Sequence, residues 1–242
     1  MKATENTIQY GLANPKQTRS PVPLSRRIRT RLATFRERLF FASGVLALAL
    51  GQAKSPAPKE NPRQVIDKTT TVITEILRDQ KLGDQKKQEK VMEVVDKRVH
   101  FETICKLVLA KSWRKFSADQ RKRFIAEFRR HLLLTYWNQA TTFDFERVEI
   151  TKDRKEKRND WTVQTLVYTP GDSSKVDYRL RLMGADEKNP GEWKIIDIII
   201  EEISLVSTFR SEFKSVISNR GAEGLLKQLK EKNDKEAGGS TK

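Results

Sequence analysis

One stretch of the chain, residues 191–229, changes its hydrophobic period part-way along, and this change strongly constrains the fold. Its first part, Trp193 to Ile200, is an almost continuous apolar run, which is typical of a strand buried on both faces. From Ile203 onward the apolar residues recur every three or four positions, which predicts one face of a helix. They are Ile203, Val206, Phe209, Phe213, Val216 and Ile217. We therefore expect a buried strand that leads directly into a C-terminal helix.

The rest of the chain supplies helices first and strands second. Asn61 and Pro62 predict a helix start, and Ser117–Gln120 has the pattern of a capping box that opens another helix. Four later runs have the length and apolar content of strands, with polar or turn-forming connections between them. These runs are 145–151, 161–169, 176–183 and 193–200. We therefore expect an α+β fold with N-terminal helices, a four-stranded antiparallel curved sheet and a C-terminal helix.

The first 53 residues have the composition of a secretory signal peptide. They hold nine Lys and Arg residues against two Asp and Glu, followed by the apolar stretch Leu39–Leu50. Gly51 and Ala53 supply the small residues of a cleavage site. A bilayer-spanning helix needs about 20 residues, so this shorter stretch predicts export with cleavage near Ala53. We expect residues 54–60 to form a linker, 61–231 the folded domain and 232–242 a disordered tail.

The net charge of +16 does not by itself indicate a nucleic-acid-binding protein. Beyond residue 53 the chain holds 39 basic and 30 acidic residues, which are interleaved rather than clustered. Trp113, Tyr136, Trp137 and Trp161 could stack on bases, but most of them lie within apolar patterns. We therefore expect no nucleic-acid partner and keep a nucleic-acid-binding protein as an alternative that salt-dependent binding would reveal.

The sequence contains no recognisable motif for catalysis or metal binding. His100 and His131 have no second histidine or cysteine at metal-ligand spacing. No nucleophile elbow, P-loop or zinc-protease motif occurs. Cys105 is the single cysteine, so it forms no internal disulfide, and its apolar helical surroundings are typical of a core position. We therefore expect neither catalytic residues nor a metal site.

Three carboxylates around the end of the last predicted strand keep two functional classes open. Glu201 and Glu202 follow the strand, where they could act as general acid and base or lie in solvent near a helix N-terminus. Asp197 interrupts the apolar run, so it needs a partner if it is buried, and we expect a structural ion pair with Arg210. The alternatives are a non-catalytic protein and a small enzyme that uses these carboxylates in a pocket.

The segment from Trp193 to Phe213 resembles the C-terminal signature of the MlaC family. These are periplasmic phospholipid-binding proteins of the intermembrane lipid-transport system in Gram-negative bacteria. The matching residues are Trp193, Lys194, Asp197, Ile200, Glu201, Ser204, Leu205, Val206, Phe209, Arg210, Ser211 and Phe213. Twelve matches in one order make this resemblance far more specific than a short motif.

The resemblance extends upstream through residues 100–113 and the helix that follows Ser117, and it covers roughly residues 62–230. The chain departs from the family pattern at Ala110 and at Glu202, where glycine is usual. It also has Thr208–Phe209 where the family usually has Asn-Tyr.

The resemblance implies a fold and a function. The implied sheet is related to nuclear-transport-factor-2-like domains and is closed by helices around an apolar lipid cavity. The implied function is that of a monomeric periplasmic carrier with phospholipid as cargo and no cofactor. The implied partners are an inner-membrane ABC transporter complex with an MCE-type protein, and an outer-membrane lipoprotein complex. Our candidate lipid-binding residues are Leu109, Trp113, Phe128, Leu132, Tyr136, Val163, Val167, Tyr178, Leu180, Leu182, Ile196, Ile198, Ile203, Leu205 and Phe209.

Overall fold

The structure, a computed structural model, describes residues 56–142 and 146–239. The helices are α1 (Pro62–Arg78), α2 (Asp84–Arg98), α3 (Phe101–Leu109), α4 (Ala118–Thr142) and α5 (Leu205–Gly239). The strands are β1 (Arg147–Lys155), β2 (Asp160–Thr169), β3 (Asp172–Met183), β4 (Glu192–Ile200) and β5 (Ile203–Ser204). Short 3₁₀ turns at Ala110–Lys115 and Lys157–Asn159 join α3 to α4 and β1 to β2. The predicted signal peptide, residues 1–53, lies outside the described residues.

The sheet is an antiparallel meander in the order β1-β2-β3-β4-β5. The predicted α+β class is therefore confirmed, with one small strand more than the four expected. The extra strand arises because the helix does not begin at Ile203. Ile203 and Ser204 instead turn back and pair with Ile200 and Ile199, and the helix begins at Leu205.

Both predicted helix starts have the side-chain hydrogen bonds of a capping box. The Asn61 side chain accepts from the Gln64 backbone N–H at 2.8 Å, and the Gln64 side chain accepts from the Asn61 N–H at 2.9 Å. Ser117 and Gln120 exchange the same pair of bonds at 3.1 and 2.9 Å. These bonds satisfy backbone donors that the first helical turn leaves without partners.

The helices α3, α4 and α5 share one aromatic core. Phe124 and Phe128 of α4 stack with ring centroids 5.5 Å apart, and Phe209 and Phe213 of α5 pack edge-on against Phe128. Cys105 is fully buried in this core, and burial raises the pKa of its thiol well above the usual range. The thiol therefore acts as a small apolar group, as the sequence indicates.

Helix α1 forms a second core against part of the sheet. Val65 and Ile66 are fully buried and pack against Val163, Leu180 and Ile195, which lie on β2, β3 and β4. The helix therefore covers one part of this sheet face and leaves the remainder to α2, α3 and α4.

In the structure, helix α5 extends through residues 232–239, which the sequence analysis assigns to a disordered tail, and ends at Gly239. Gly221 has a φ of 67° and breaks the regular helix, and the residues beyond it lie against α4. Asn233 is fully buried there, and its amide donates to the Glu127 backbone carbonyl at 2.9 Å and to its carboxylate at 2.8 Å. These polar contacts order a segment whose composition alone is typical of a solvated tail. No helix within the described ranges combines the length and apolar character needed to cross a membrane.

Candidate functional site

An apolar cavity of about 490 Å³ lies between the sheet and helices α2, α3 and α4. On the helical side, its walls are Val91, Met92, Val95, Val99, Phe101, Ile104, Phe128, Arg129, Leu132, Leu133, Tyr136 and Trp137. On the sheet side, they are Val167, Thr169, Ser174, Val176, Tyr178, Ile195, Asp197, Ile198 and Ile200, with Leu205, Val206 and Phe209 from the start of α5. This volume is within the range of small-molecule binding sites.

Strand alternation explains why the sheet side of the cavity is apolar. Tyr178 is paired with Ile198, and Val176 with Ile200, so these four side chains share one face of β3 and β4. Asp177, which lies between Val176 and Tyr178, falls on the opposite face of β3. The same sheet face therefore carries both the α1 core and the cavity.

The cavity ends where α1 begins to cover the sheet. Ile195, Tyr178 and Ile198 belong to both regions, because each lines the cavity and also packs in the core beneath α1. Val65 and Ile66 occupy the space beyond them. The position of α1 therefore decides which apolar strand residues face a cavity and which are ordinary core.

Eight of the fifteen candidate lipid-binding residues lie on the cavity wall. They are Phe128, Leu132, Tyr136, Val167, Tyr178, Ile198, Leu205 and Phe209. Their contact with a lipid stays a prediction. The helical and strand periodicity of the sequence selects these eight residues.

The other seven candidates lie elsewhere in the structure. Leu109 and Trp113 belong to the helical core, and Val163 and Leu180 lie beneath α1. The remaining three are Leu182, which pairs with Trp193, Ile196, which is fully buried, and Ile203, which is 63% exposed on β5. Core and cavity select the same residue types, so the sequence pattern does not separate them.

Helix α2 supplies cavity residues that are not among the fifteen candidates. Val91, Met92 and Val95 have helical spacing, but Val91 is the single residue of α2 that is buried. An apolar stripe on a helix usually predicts core packing, and here most of that stripe faces the cavity. Apart from its apolar stripe, α2 is strongly polar, so this stripe is the one face of the helix that can lie against the rest of the protein. This composition is the sequence signal that could have indicated a cavity position.

A charged interaction connects α2 to α4, and its basic partner lines the cavity. Arg129 of α4 donates through Nε and Nη2 to the two carboxylate oxygens of Asp96, at 2.7 and 2.5 Å. Its guanidinium also lies 5.9 Å from the ring centroid of Phe101. The hydrogen bonds to Asp96 raise the pKa of Arg129, although burial opposes them. Arg129 is also the one basic residue among the described residues that line the cavity.

Tyr136 and Tyr178 contribute hydroxyl groups to the cavity wall, in addition to Thr169 and Ser174. Burial raises the pKa of Tyr178 to about 12 and also raises the pKa of Tyr136. Low-dielectric surroundings disfavour the charged phenolate, so both side chains are neutral at physiological pH. The cavity wall is therefore mainly apolar, with neutral hydroxyl groups in addition to the charged side chains of Arg129 and Asp197.

The predicted ion pair between Asp197 and Arg210 is not formed. The Asp197 carboxylate accepts from the Ser204 hydroxyl at 2.7 Å and from the Val206 backbone N–H at 3.1 Å. Arg210 instead donates to the backbone carbonyl of Leu107 at 2.9 Å, at the end of α3. Asp197 needs no guanidinium because the first turn of α5 supplies backbone donors and a favourable dipole.

The two glutamates considered for acid–base chemistry lie outside the cavity. Glu201 and Glu202 are exposed on the turn between β4 and β5. The Glu201 carboxylate accepts from the backbone N–H of Lys175 at 2.6 Å, and Glu202 lies 3.2 Å from the Lys175 ammonium. Both glutamates therefore hold the turn beside β3, and Asp197 is the one carboxylate among the described lining residues.

The sequence of this chain matches a known protein family. The sequence profile described as MlaC protein matches residues 26–231, which is most of the chain. The chain belongs to the MlaC family. The match begins inside the predicted signal peptide and ends near the middle of the last segment of α5.

A solved structure supports the fold of this MlaC-family chain. It is the phospholipid-binding protein from Ralstonia solanacearum in complex with a phospholipid, with a TM-score of 0.64 and 23% sequence identity. The alignment covers 74% of this chain and 99% of the Ralstonia chain. The two proteins therefore share the same helix-and-sheet architecture over nearly the whole Ralstonia structure.

Two departures from the MlaC pattern occur where the backbone has positive φ. Ala110, at the end of α3, has φ 47° and ψ −122°, and Glu202 has φ 68°. Glu201, its neighbour in the same two-residue turn, has φ 45°. The glycine that is usual at positions 110 and 202 of the family adopts such angles without a Cβ penalty. The local backbone therefore explains the family preference, and this chain tolerates strain at both positions.

Proposed function

We propose that this chain is a non-catalytic phospholipid carrier whose cavity holds acyl chains. The observation that carries the proposal is the apolar cavity between the sheet and α2–α4, in a chain of the MlaC family. The phospholipid in the Ralstonia structure supports the same cargo for this fold. Acyl chains need a dry apolar space and no reactive group, which agrees with a wall of aliphatic and aromatic side chains.

The energy of lipid transfer indicates how such a carrier works. Each buried methylene contributes about 0.8 kcal/mol, so roughly 30 methylenes of two acyl chains correspond to ~24 kcal/mol against water. Measured non-covalent affinities reach only about 21 kcal/mol, so release into water is too slow to be useful. The carrier must therefore take lipid from, and give lipid to, environments as apolar as its own cavity.

Membrane-bound partners provide those environments. We place the protein in the periplasm, exported through the signal peptide predicted in residues 1–53. Its partners in this proposal are an inner-membrane ABC transporter complex with an MCE-type protein and an outer-membrane lipoprotein complex. Family membership supports these assignments.

Native mass spectrometry of protein purified from the periplasm tests the proposal. The full chain is expressed with its own leader, and the lipids are extracted and analysed in parallel. We expect a mass increment that matches a phospholipid and disappears after organic extraction. Protein that carries no lipid after gentle purification, and takes none from vesicles, would contradict the proposal. Substitution of Asp197, Glu201 and Glu202 would then test the enzyme alternative.

A further inference from the structure

The cavity has a single basic side chain among the described residues of its wall, and this side chain lies at its edge. Arg129 lines the cavity, while its side chain retains 37% of its accessible surface. The neighbouring wall positions, Leu132, Leu133 and Phe128, are apolar. Arg129 is therefore placed where an apolar space meets solvent, which is where the polar part of an amphiphile must lie.

The guanidinium of Arg129 is held in position by hydrogen bonds, but not all of its N–H donors have partners among the described residues. Its Nε and Nη2 atoms bond to Asp96, and Phe101 lies beside its plane, while Nη1 has no partner among the described residues. Arginine presents five N–H donors in a planar fork that matches the oxygens of a phosphate. An anion at the cavity mouth can therefore reach free donors on a side chain that is already held in position.

We infer that Arg129 binds the phosphate of the cargo lipid and that Asp96 opposes this binding. The inference rests on the proposed carrier function. In the unloaded protein, Asp96 neutralises Arg129 and joins α2 to α4. When a phospholipid enters, its phosphodiester approaches the same guanidinium, and the Asp96 carboxylate repels it. Arg129 is thus a specificity-determining residue for phosphate-bearing lipids over uncharged diacylglycerols, which have the same two acyl chains.

Substitutions of Arg129 and of Asp96 are expected to change the preference for phospholipid in opposite directions. This difference distinguishes a ligand-binding role of Arg129 from a structural one. If Arg129 and Asp96 only fastened α2 to α4, substitution of either residue would loosen the same contact and change lipid selection in the same direction. If Arg129 binds phosphate, Arg129→Gln lowers the preference for phospholipid, whereas Asp96→Asn raises it because a competing negative charge is lost.

The test measures which lipid the protein retains from a defined mixture. The full chain is expressed with its own leader, and the protein purified from the periplasm is delipidated. It is then incubated with vesicles that contain phosphatidylglycerol and diacylglycerol with identical acyl chains. The lipids bound to the reisolated protein are then quantified by mass spectrometry. We expect Arg129→Gln to lower the ratio of phosphatidylglycerol to diacylglycerol roughly tenfold, in line with the loss of a charge-assisted hydrogen bond at a partly exposed site.

Two further variants complete the design. Arg130→Gln removes the same charge from the adjacent position, where Arg130 pairs with Asp234 at 2.7 Å outside the cavity wall, and it leaves the ratio unchanged. Arg129→Lys keeps the charge but loses the fork, and it gives an intermediate ratio, which keeps the test informative if Arg129→Gln folds poorly.

Equal ratios for wild type and Arg129→Gln, or shifts in the same direction for Arg129→Gln and Asp96→Asn, would overturn the inference while leaving the carrier function intact. Wild-type protein that retains neither lipid would instead contradict the proposed function itself.

Discussion

At the scale of single residues, the chain keeps two side chains in backbone conformations that favour glycine. Ala110 closes α3 at φ 47° and ψ −122°, and Glu202 occupies the second position of a two-residue turn at φ 68°. An L-residue held at such angles is strained by about 1 kcal/mol or more. Both positions are therefore sites where a glycine removes strain without removing a packing contact.

Ala110→Gly is expected to raise the free energy of unfolding by about 1 kcal/mol, because relief of the positive-φ strain exceeds the extra entropy of an unfolded glycine. Urea denaturation followed by circular dichroism measures the change. Ala126→Gly, at an exposed position within α4, is the matched control and should lower stability by about 1 kcal/mol. Destabilisation by both substitutions would show that Ala110 is not strained.

Glu202→Gly is expected to stabilise the protein by a similar amount, about 1 kcal/mol. The side chain it removes is exposed and forms an ion pair with Lys175, and such surface pairs contribute little. Glu201→Gly is the comparison, because it also removes the bond to the Lys175 backbone N–H. The same denaturation experiment should therefore show a gain for position 202 that exceeds any gain at position 201. An equal gain at both positions would argue against this explanation.

Asp197 shows how far residue-level prediction from sequence can reach. Its position within an apolar run indicates that the carboxylate needs a partner if it is buried, and in the structure Asp197 is buried. The partner could not be identified, because the donors are the Ser204 hydroxyl and a backbone N–H of a helix that begins two residues later than its pattern suggests. Hydrophobic periodicity indicates which side chains face the core. The donors to Asp197 are brought close by the chain reversal at Glu201 and Glu202, which periodicity does not reveal.

At the scale of secondary-structure elements, a buried polar cluster joins α4 to the last part of α5. His131 is 1% exposed, and its Nδ1 lies 3.0 Å from the Asn233 side-chain oxygen. Burial lowers the pKa of His131, and nearby Lys232 lowers it further. The Asn233 hydrogen bond, Glu236 and Glu212 act in the opposite direction without reversing the shift. The imidazole is therefore neutral in the folded protein.

This shift predicts a pH dependence of stability with a defined sign. The unfolded chain binds a proton at His131 near pH 6.5, above the pKa of the native imidazole, so acidification favours unfolding. The stabilising contribution is complete above about pH 6.5 and is lost as the pH falls toward the native pKa. We expect the difference in unfolding free energy between wild type and His131→Gln to shrink from about pH 7.5 to about pH 5.5. Urea titrations across this range measure it, and a constant difference would contradict the prediction.

The elements themselves were largely predictable, but their coverage of the sheet was not. Capping residues and hydrophobic periods correctly indicate α1, α4 and the strands. Nothing in the pattern of Val65 and Ile66 tells which part of the sheet α1 covers, because any apolar strand face would accept them. Leu180 and Tyr178, two positions apart on β3, therefore look equivalent in sequence, although the first is core and the second also lines the cavity.

At the scale of the whole molecule, the proposed function depends on keeping the cavity open. Ile198→Trp places a larger side chain on the wall beside Tyr178, and we expect it to lower the phospholipid retained per protein several-fold. Ile203→Trp is the matched substitution at an exposed position outside the wall, and it should retain lipid like wild type. Lipid extraction followed by mass spectrometry gives the occupancy, and circular dichroism checks that both variants fold. Equal occupancy in both variants would count against this cavity as the lipid site.

The position of α1 also has a consequence for cargo size. In the proposed carrier, an acyl tail that extends along the sheet toward α1 is expected to stop at Ile195, because Val65 and Ile66 fill the space beyond it. Helix α1 thus closes one end of the cavity, and the opposite end lies toward Thr169 and Ser174. We therefore expect α1 to limit the acyl-chain length of the proposed carrier, although α1 contributes no residue to the described cavity wall. In this proposal, α1 is where a carrier of this design would change to accept longer tails.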